Sequence, residues 1–244
     1  MSQEMILVFI GLLLGGFTSG AAGFGIMMIA LPILTLGLPI TDAVLVCCIV
    51  GVLTAVQLAW LYHRFANWSD VKMMWLGCVP GCIVGAYTLK IIPMSVLQLA
   101  ISIAIVCFLL LQLLRDKSSW RLPDSRFSLI FTGVASGFAS STVSLVGVPI
   151  GIFILLKGWD KDRSRATMSM LFIVCGWATF FSQWAAGLYT ADLFKLAVSG
   201  TVASLIGQEL GFRAGRYLNQ KMFTRFVLFF LSVAAVTLFY KSIQ

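Results

Sequence analysis

Apolar residues run along this chain in long blocks broken by short polar stretches, with neither the alternation of strands nor the one-sided stripe of soluble helices. Six blocks, at about 41–61, 71–89, 94–114, 166–186, 192–212 and 222–240, each have the length of one bilayer-crossing helix. Two others, 5–35 and 127–157, do not fit. At 1.5 Å per residue each would be about 46 Å long, too long for one span of about 30 Å and too short for two. Both carry small and hydroxyl residues well inside them: GGFTSGAAGFG at 15–25 and SSTVSLVG at 140–147. The pattern predicts an all-α polytopic membrane protein with two broken elements.

The blocks also repeat in order. Gly16-Phe17-Thr18-Ser19 aligns with Gly137-Phe138-Ala139-Ser140, and Pro32 and Pro149 follow them. GLPITDAVL (37–45) aligns with GWDKDRSRATM (158–168), which pairs Ala43 with Ala166. GCIVGAYTLKIIPMSVLQ (81–98) aligns with GQELGFRAGRYLNQKMFT (207–224), which pairs Gly81 with Gly207, Gly85 with Gly211 and Lys90 with Arg216. Residues 1–114 and 127–244 therefore read as two copies of one membrane unit, joined by a polar linker at 115–126.

Composition agrees with a membrane class: 60% of the 244 residues are hydrophobic and 11% charged, with a mean hydropathy of +1.00. The net charge of +8 is then a question of topology and implies no nucleic acid. If each odd element crossed once, the seventeen Lys and Arg would divide almost evenly between the two sides. If each is a re-entrant hairpin, fourteen share one side and only Lys90, Lys195 and Lys241 lie on the other. The positive-inside rule selects the hairpins. Three crossings plus a hairpin per copy invert the second copy relative to the first. The fold class expected is thus two inverted repeats, each a broken hairpin plus three transmembrane helices, multi-pass in the cell membrane. Both termini are expected on the non-cytoplasmic side, and the first residues lack the basic start of a cleavable signal.

Symmetric interruptions in two halves point to a transporter's binding site. Hairpin tips that enter from opposite faces meet near the midplane, and the returning arms, starting near Phe24 and Leu145, aim helix N-termini at the meeting point. Thr18, Ser19, Gly20, Gly23, Phe24 and Gly25 from the first element are the expected substrate-binding residues, with Ser140, Ser141, Thr142, Ser144 and Gly147 from the second. Gln57 and Gln183, within spans of the two halves, are candidates for the same cavity. Hydroxyls and N–H groups suit a small oxyanion and suit a cation poorly.

Other features read as structural. The Gly81/Gly85 and Gly207/Gly211 pairs suit close helix packing. Glu209 and Arg213 are spaced for a local ion pair, and Lys90 and Arg216 for snorkelling at span ends. The six cysteines lie in apolar blocks and make no ligand set with the single His63, so no metal and no cofactor are expected. Cys78 and Cys82 share a helix face and are the two placed to meet a reactive sulfur species. With one loop histidine and no paired carboxylates in a cavity, the pattern excludes catalytic residues and points away from an enzyme.

GFTSGAAGFGIMMIALPIL, followed by GLPITDA and by the GxxxG block that closes the half, resembles the TauE/SafE sulfite exporter family across nearly the whole chain. The resemblance implies a permease that exports sulfite or a short organosulfonate from the cytoplasm. An anion channel, or an importer of a related sulfur compound, is the alternative. Ile26-Met27-Met28 and SSTVSLVG depart from the family's usual glycines, which leaves the substrate open. The partners implied are a small sulfur oxyanion or sulfonate and the lipid bilayer; a homo-oligomer is left open.

Overall fold

The computed structural model describes residues 3–22, 26–93, 95–97, 99–100, 103, 106, 125–159 and 161–215. Among these, all regular structure is helical: α1 (Gln3–Ala22), α2 (Ile26–Leu34), α3 (Ile40–Tyr62), α4 (Trp68–Ile91), α5 (Arg126–Val143), α6 (Gly147–Lys157), α7 (Lys161–Ala185) and α8 (Ala191–Gly215). The linker over 115–124, the span expected at 222–240 and most of the one at 94–114 lie outside the described residues. Helices start where their chemistry allows. Asn67 caps α4 by accepting from the Ser69 N–H at 3.1 Å, Ser125 caps α5 in the same way, and Pro39 supplies the extended residue before α3. Among the described residues, four helices are long and apolar enough to cross a membrane: Glu4–Ala21, Ile40–Trp60, Trp68–Ile91 and Arg163–Ala185. Large apolar side chains such as Trp60, Leu76, Phe131 and Val198 stay exposed on the outside, where lipid rather than water suits them. This is an integral, all-α membrane protein.

Each odd element is two helices rather than one. α2 folds back along α1: Gly15 faces Ile26 and Ala30, Gly11 faces Ile33 and Leu34, and Gly37 faces Leu7. The second element repeats this, since Leu129 near the start of α5 shares a core with Ile150, Phe153 and Ile154 of α6. One expectation is corrected. The stretch 15–22 does not break the first element, because α1 runs unbroken to Ala22. Its glycines serve packing instead: a Cβ on Gly16 would strike the Ser204 carbonyl, and one on Gly20 the Gln208 carbonyl. The arms are accordingly unequal, about 30 Å for the 20 residues of α1 and about 14 Å for the nine of α2.

Two glycine seams hold the bundle, and both join the halves. Gly207 and Gly211 of α8 seat on the backbone of Leu13 and Phe17 in α1, while Gly16 and Gly20 reciprocate. In the other seam Gly77 and Gly81 of α4 meet the carbonyls of Ile130 and Val134 in α5, and Gly133 and Gly137 meet those of Met74 and Cys78. Residue numbers rise together along each seam, so the paired helices are parallel. Van der Waals contact between backbones is the main glue available without a hydrophobic force between helices.

Further contacts set the other directions. α4 and α7 run parallel: the Trp75 indole donates to the Met170 carbonyl at 3.3 Å, Cys78 meets Cys175, Cys82 meets Thr179, and the Lys90 ammonium donates to the Ala186 carbonyl at 3.1 Å. α3 and α7 run antiparallel: Val52 touches Gly176, while Ala59 shares a core with Met170. At one end, the Arg163 guanidinium pairs with Asp70 at 2.5 Å and lies 4.2 Å over the Trp159 ring.

Candidate functional site

The two hairpins converge on one cleft of about 710 Å³, a volume that counts its open mouth. Ser19 and Ile26 to Met28 line it from the first hairpin, and Ser140 with Ser144 to Gly147 from the second. Cys47, Cys48, Gly51 and Thr54 of α3 and Phe172 and Gly176 of α7 close the sides. No Lys, Arg, Asp or Glu is among the described residues that line it. Helices α2 and α6 both begin at this cleft, so each presents its N-terminal, partially positive end there.

The break in the second hairpin is pinned. Ser144 takes a left-handed conformation, φ 54° and ψ 23°, which few non-glycine residues adopt. Its N–H donates to the Ser140 carbonyl at 3.0 Å and the Leu145 N–H reaches back to Ala139 at 3.1 Å, a helix-ending pattern. The Ser144 hydroxyl then donates to the Val44 carbonyl of α3 at 3.0 Å, which ties the tip to the first half. Behind the tip sits Thr179 of α7, whose hydroxyl lies 2.8 Å from that of Ser140 and accepts from Ser141 at 3.1 Å. Gln183, fully buried, donates to the Ser141 carbonyl at 2.9 Å and accepts from the Tyr189 hydroxyl at 2.7 Å.

The predicted residues thus fall into groups. Ser19, Ser140, Ser144 and Gly147 line the cleft. Ser141 and Gln183 brace it from behind. Thr18 and Thr142 turn their hydroxyls back onto their own helices, at Gly15 and Phe138. Gly20 packs against α8, and Gly23, Phe24 and Gly25 lie outside the described residues. Gln57 is not brought to the cleft: the turn of α3 that buries Thr54 and Leu58 leaves Gln57 on the exposed face. Ser136, Thr167 and Ser204 have buried hydroxyls without a partner away from the cleft, and one such hydroxyl lies on the cleft wall. Ser19 is 1% exposed, and its oxygen has no hydrogen-bond partner in the protein.

A model of one protein family matches residues 7–238, almost the full length of the chain. The chain belongs to the sulfite exporter TauE/SafE family. TauE/SafE proteins are membrane transporters of sulfur anions. No curated protein and no solved structure matches the chain.

Sequence reasoning missed two parts of this TauE/SafE site. Thr179, the hub of the hydroxyl cluster, has no sequence neighbour that marks it. The thiols of Cys78, Cys82 and Cys175 lie within 4.8 Å of one another, where sequence had placed only Cys78 and Cys82 together. Cys175 is too distant in sequence for spacing to reveal the contact.

Proposed function

We propose that the protein exports a small sulfur-containing anion, sulfite or a short organosulfonate, held between the two hairpin tips. The observation that carries this reading is Ser19: a buried hydroxyl without a partner on the wall of a cleft. Such a group costs about 1–3 kcal/mol unless a ligand or water satisfies it. Ser140 and the N-termini of α2 and α6 supply further neutral donors on the same walls. Donors without full charges suit a carrier, which must release its anion as well as bind it.

The antiparallel course of α3 and α7, and the parallel course of α4 and α7, support hairpins and inverted halves. Elements that each crossed once would set α4 and α7 in opposite directions. A membrane potential of 100 mV is worth about 2.3 kcal/mol per elementary charge. That lowers an internal monoanion about 50-fold at equilibrium, so export needs no coupling ion. The test is uptake of labelled sulfite, and of a short sulfonate, into proteoliposomes under an imposed potential. Saturable flux that follows the potential and collapses in the Ser19→Ala/Ser140→Ala double variant supports the reading. Flux intact in that variant moves the site elsewhere, and flux that never saturates marks a channel.

A further inference from the structure

The cysteine cluster lies one layer behind the cleft wall and is used by nothing described so far. The Sγ atoms of Cys78 and Cys175 are 2.6 Å apart, whereas Cys78 and Cys82 keep 3.7 Å. All three side chains are fully buried. Cys82 also meets the Thr179 hydroxyl at 3.4 Å, and Thr179 holds Ser140 on the cleft wall at 2.8 Å. Gly176, next to Cys175, lines the cleft itself.

Two chemistries could use such thiols. A bound metal would hold its sulfurs at about 2.3 Å and hence roughly 3.8 Å from one another. Three thiolates on a divalent ion would leave one net negative charge, and no described cation lies among the contacts to offset it. A covalent bond needs sulfurs at about 2.05 Å and leaves no charge in the membrane interior. Cys78 and Cys175 are free thiols in this structure, and of the printed pairs they lie closer together than Cys78 and Cys82.

We propose that Cys78 and Cys175 form a reversible disulfide that welds α4 of the first half to α7 of the second, with Cys82 the thiol left over. A peroxide, small and neutral, is the class of oxidant the step takes. One thiol attacks the O–O bond to give a sulfenic acid and one water. The second thiol attacks that sulfur and releases another water, so two thiols and one peroxide become one disulfide and two waters. A small dithiol reductant reverses the step by exchange. The weld sits one helical turn from Thr179 and so stiffens the hydroxyl cluster behind the second hairpin tip. The inference does not depend on which anion is carried.

Thiol counting tests it without any transport assay. The full-length purified protein is treated with hydrogen peroxide or with dithiothreitol, denatured, alkylated and weighed. Six alkylated cysteines are expected after the reductant, all those in the chain, and two fewer after peroxide. Trypsin cleavage at Lys72, Lys90, Arg165 and Lys195 isolates Cys78 with Cys82 on one peptide and Cys175 alone on another. A non-reducing digest of the oxidised protein should contain those two peptides joined. The joined pair should survive Cys82→Ser and vanish in Cys78→Ser. Full alkylation after peroxide, a link at Cys47 or Cys48, or a link lost only in Cys82→Ser would each overturn the assignment.

Discussion

Single residues divide into those that hold the fold and those that the fold holds ready. Ser19 belongs to the second kind. Its hydroxyl makes no protein bond, so Ser19→Ala should leave the unfolding temperature within about a degree or two of the parent. A lost hydrogen bond to an anion is worth about 1.5–3 kcal/mol, so substrate affinity should fall roughly ten- to hundredfold, read as a rise in the half-saturating concentration of flux. Ser144 has the opposite profile. Its left-handed backbone tolerates glycine, while a β-branched side chain there costs about 1–3 kcal/mol. Ser144→Val should therefore melt several degrees lower in detergent, and Ser144→Gly should lose only the bond to Val44. What sequence can see at this scale is residue type, which put Ser19, Ser140 and Ser144, residues that line the cleft, among the candidates. It could not see rotation about a helix, which turned Gln57 outward and set Gln183 to bracing the tip rather than lining the cleft.

At the scale of elements, the apolar blocks were legible because membrane spans are long and their limits are polar: α3 and α4 begin at Pro39 and Asn67, close to where hydropathy places them. The first returning arm, read as starting near Phe24, begins at Ile26, but the part played by the glycines before it was not legible. A glycine that interrupts a helix and a glycine that admits a neighbouring backbone look the same in one dimension, and in 15–22 the second kind prevailed. The distinction has a measurable counterpart. Gly81→Leu would drive a side chain into the Val134 carbonyl, and the α4–α5 seam should open. The expected outcome is loss of a monodisperse peak on size exclusion in mild detergent. Gly147→Ala is the contrast: the nearest atom to its added methyl would be Phe172 Cζ at 3.7 Å, an ordinary contact. That variant should fold normally and carry any defect in flux alone.

For the whole molecule, the charge asymmetry that selected hairpins makes a prediction about sides. Single cysteines introduced as Leu36→Cys, at an exposed position of the same loop, and Ser118→Cys should react with an impermeant maleimide from opposite faces of the membrane. Reaction of both from one face would sink the inverted arrangement. The glycine seams carry a further consequence. Each half owns one strip from both seams, on α1 and α4 in the first and on α5 and α8 in the second. Neither seam is closed within a half: α1 finds its match on α8, and α4 on α5. A half expressed alone would thus carry two open strips, whose natural complement is another half-molecule. Severing the chain within 115–126 should therefore leave fragments that reassemble with each other, and failure to do so would count against reading 1–114 and 127–244 as two units.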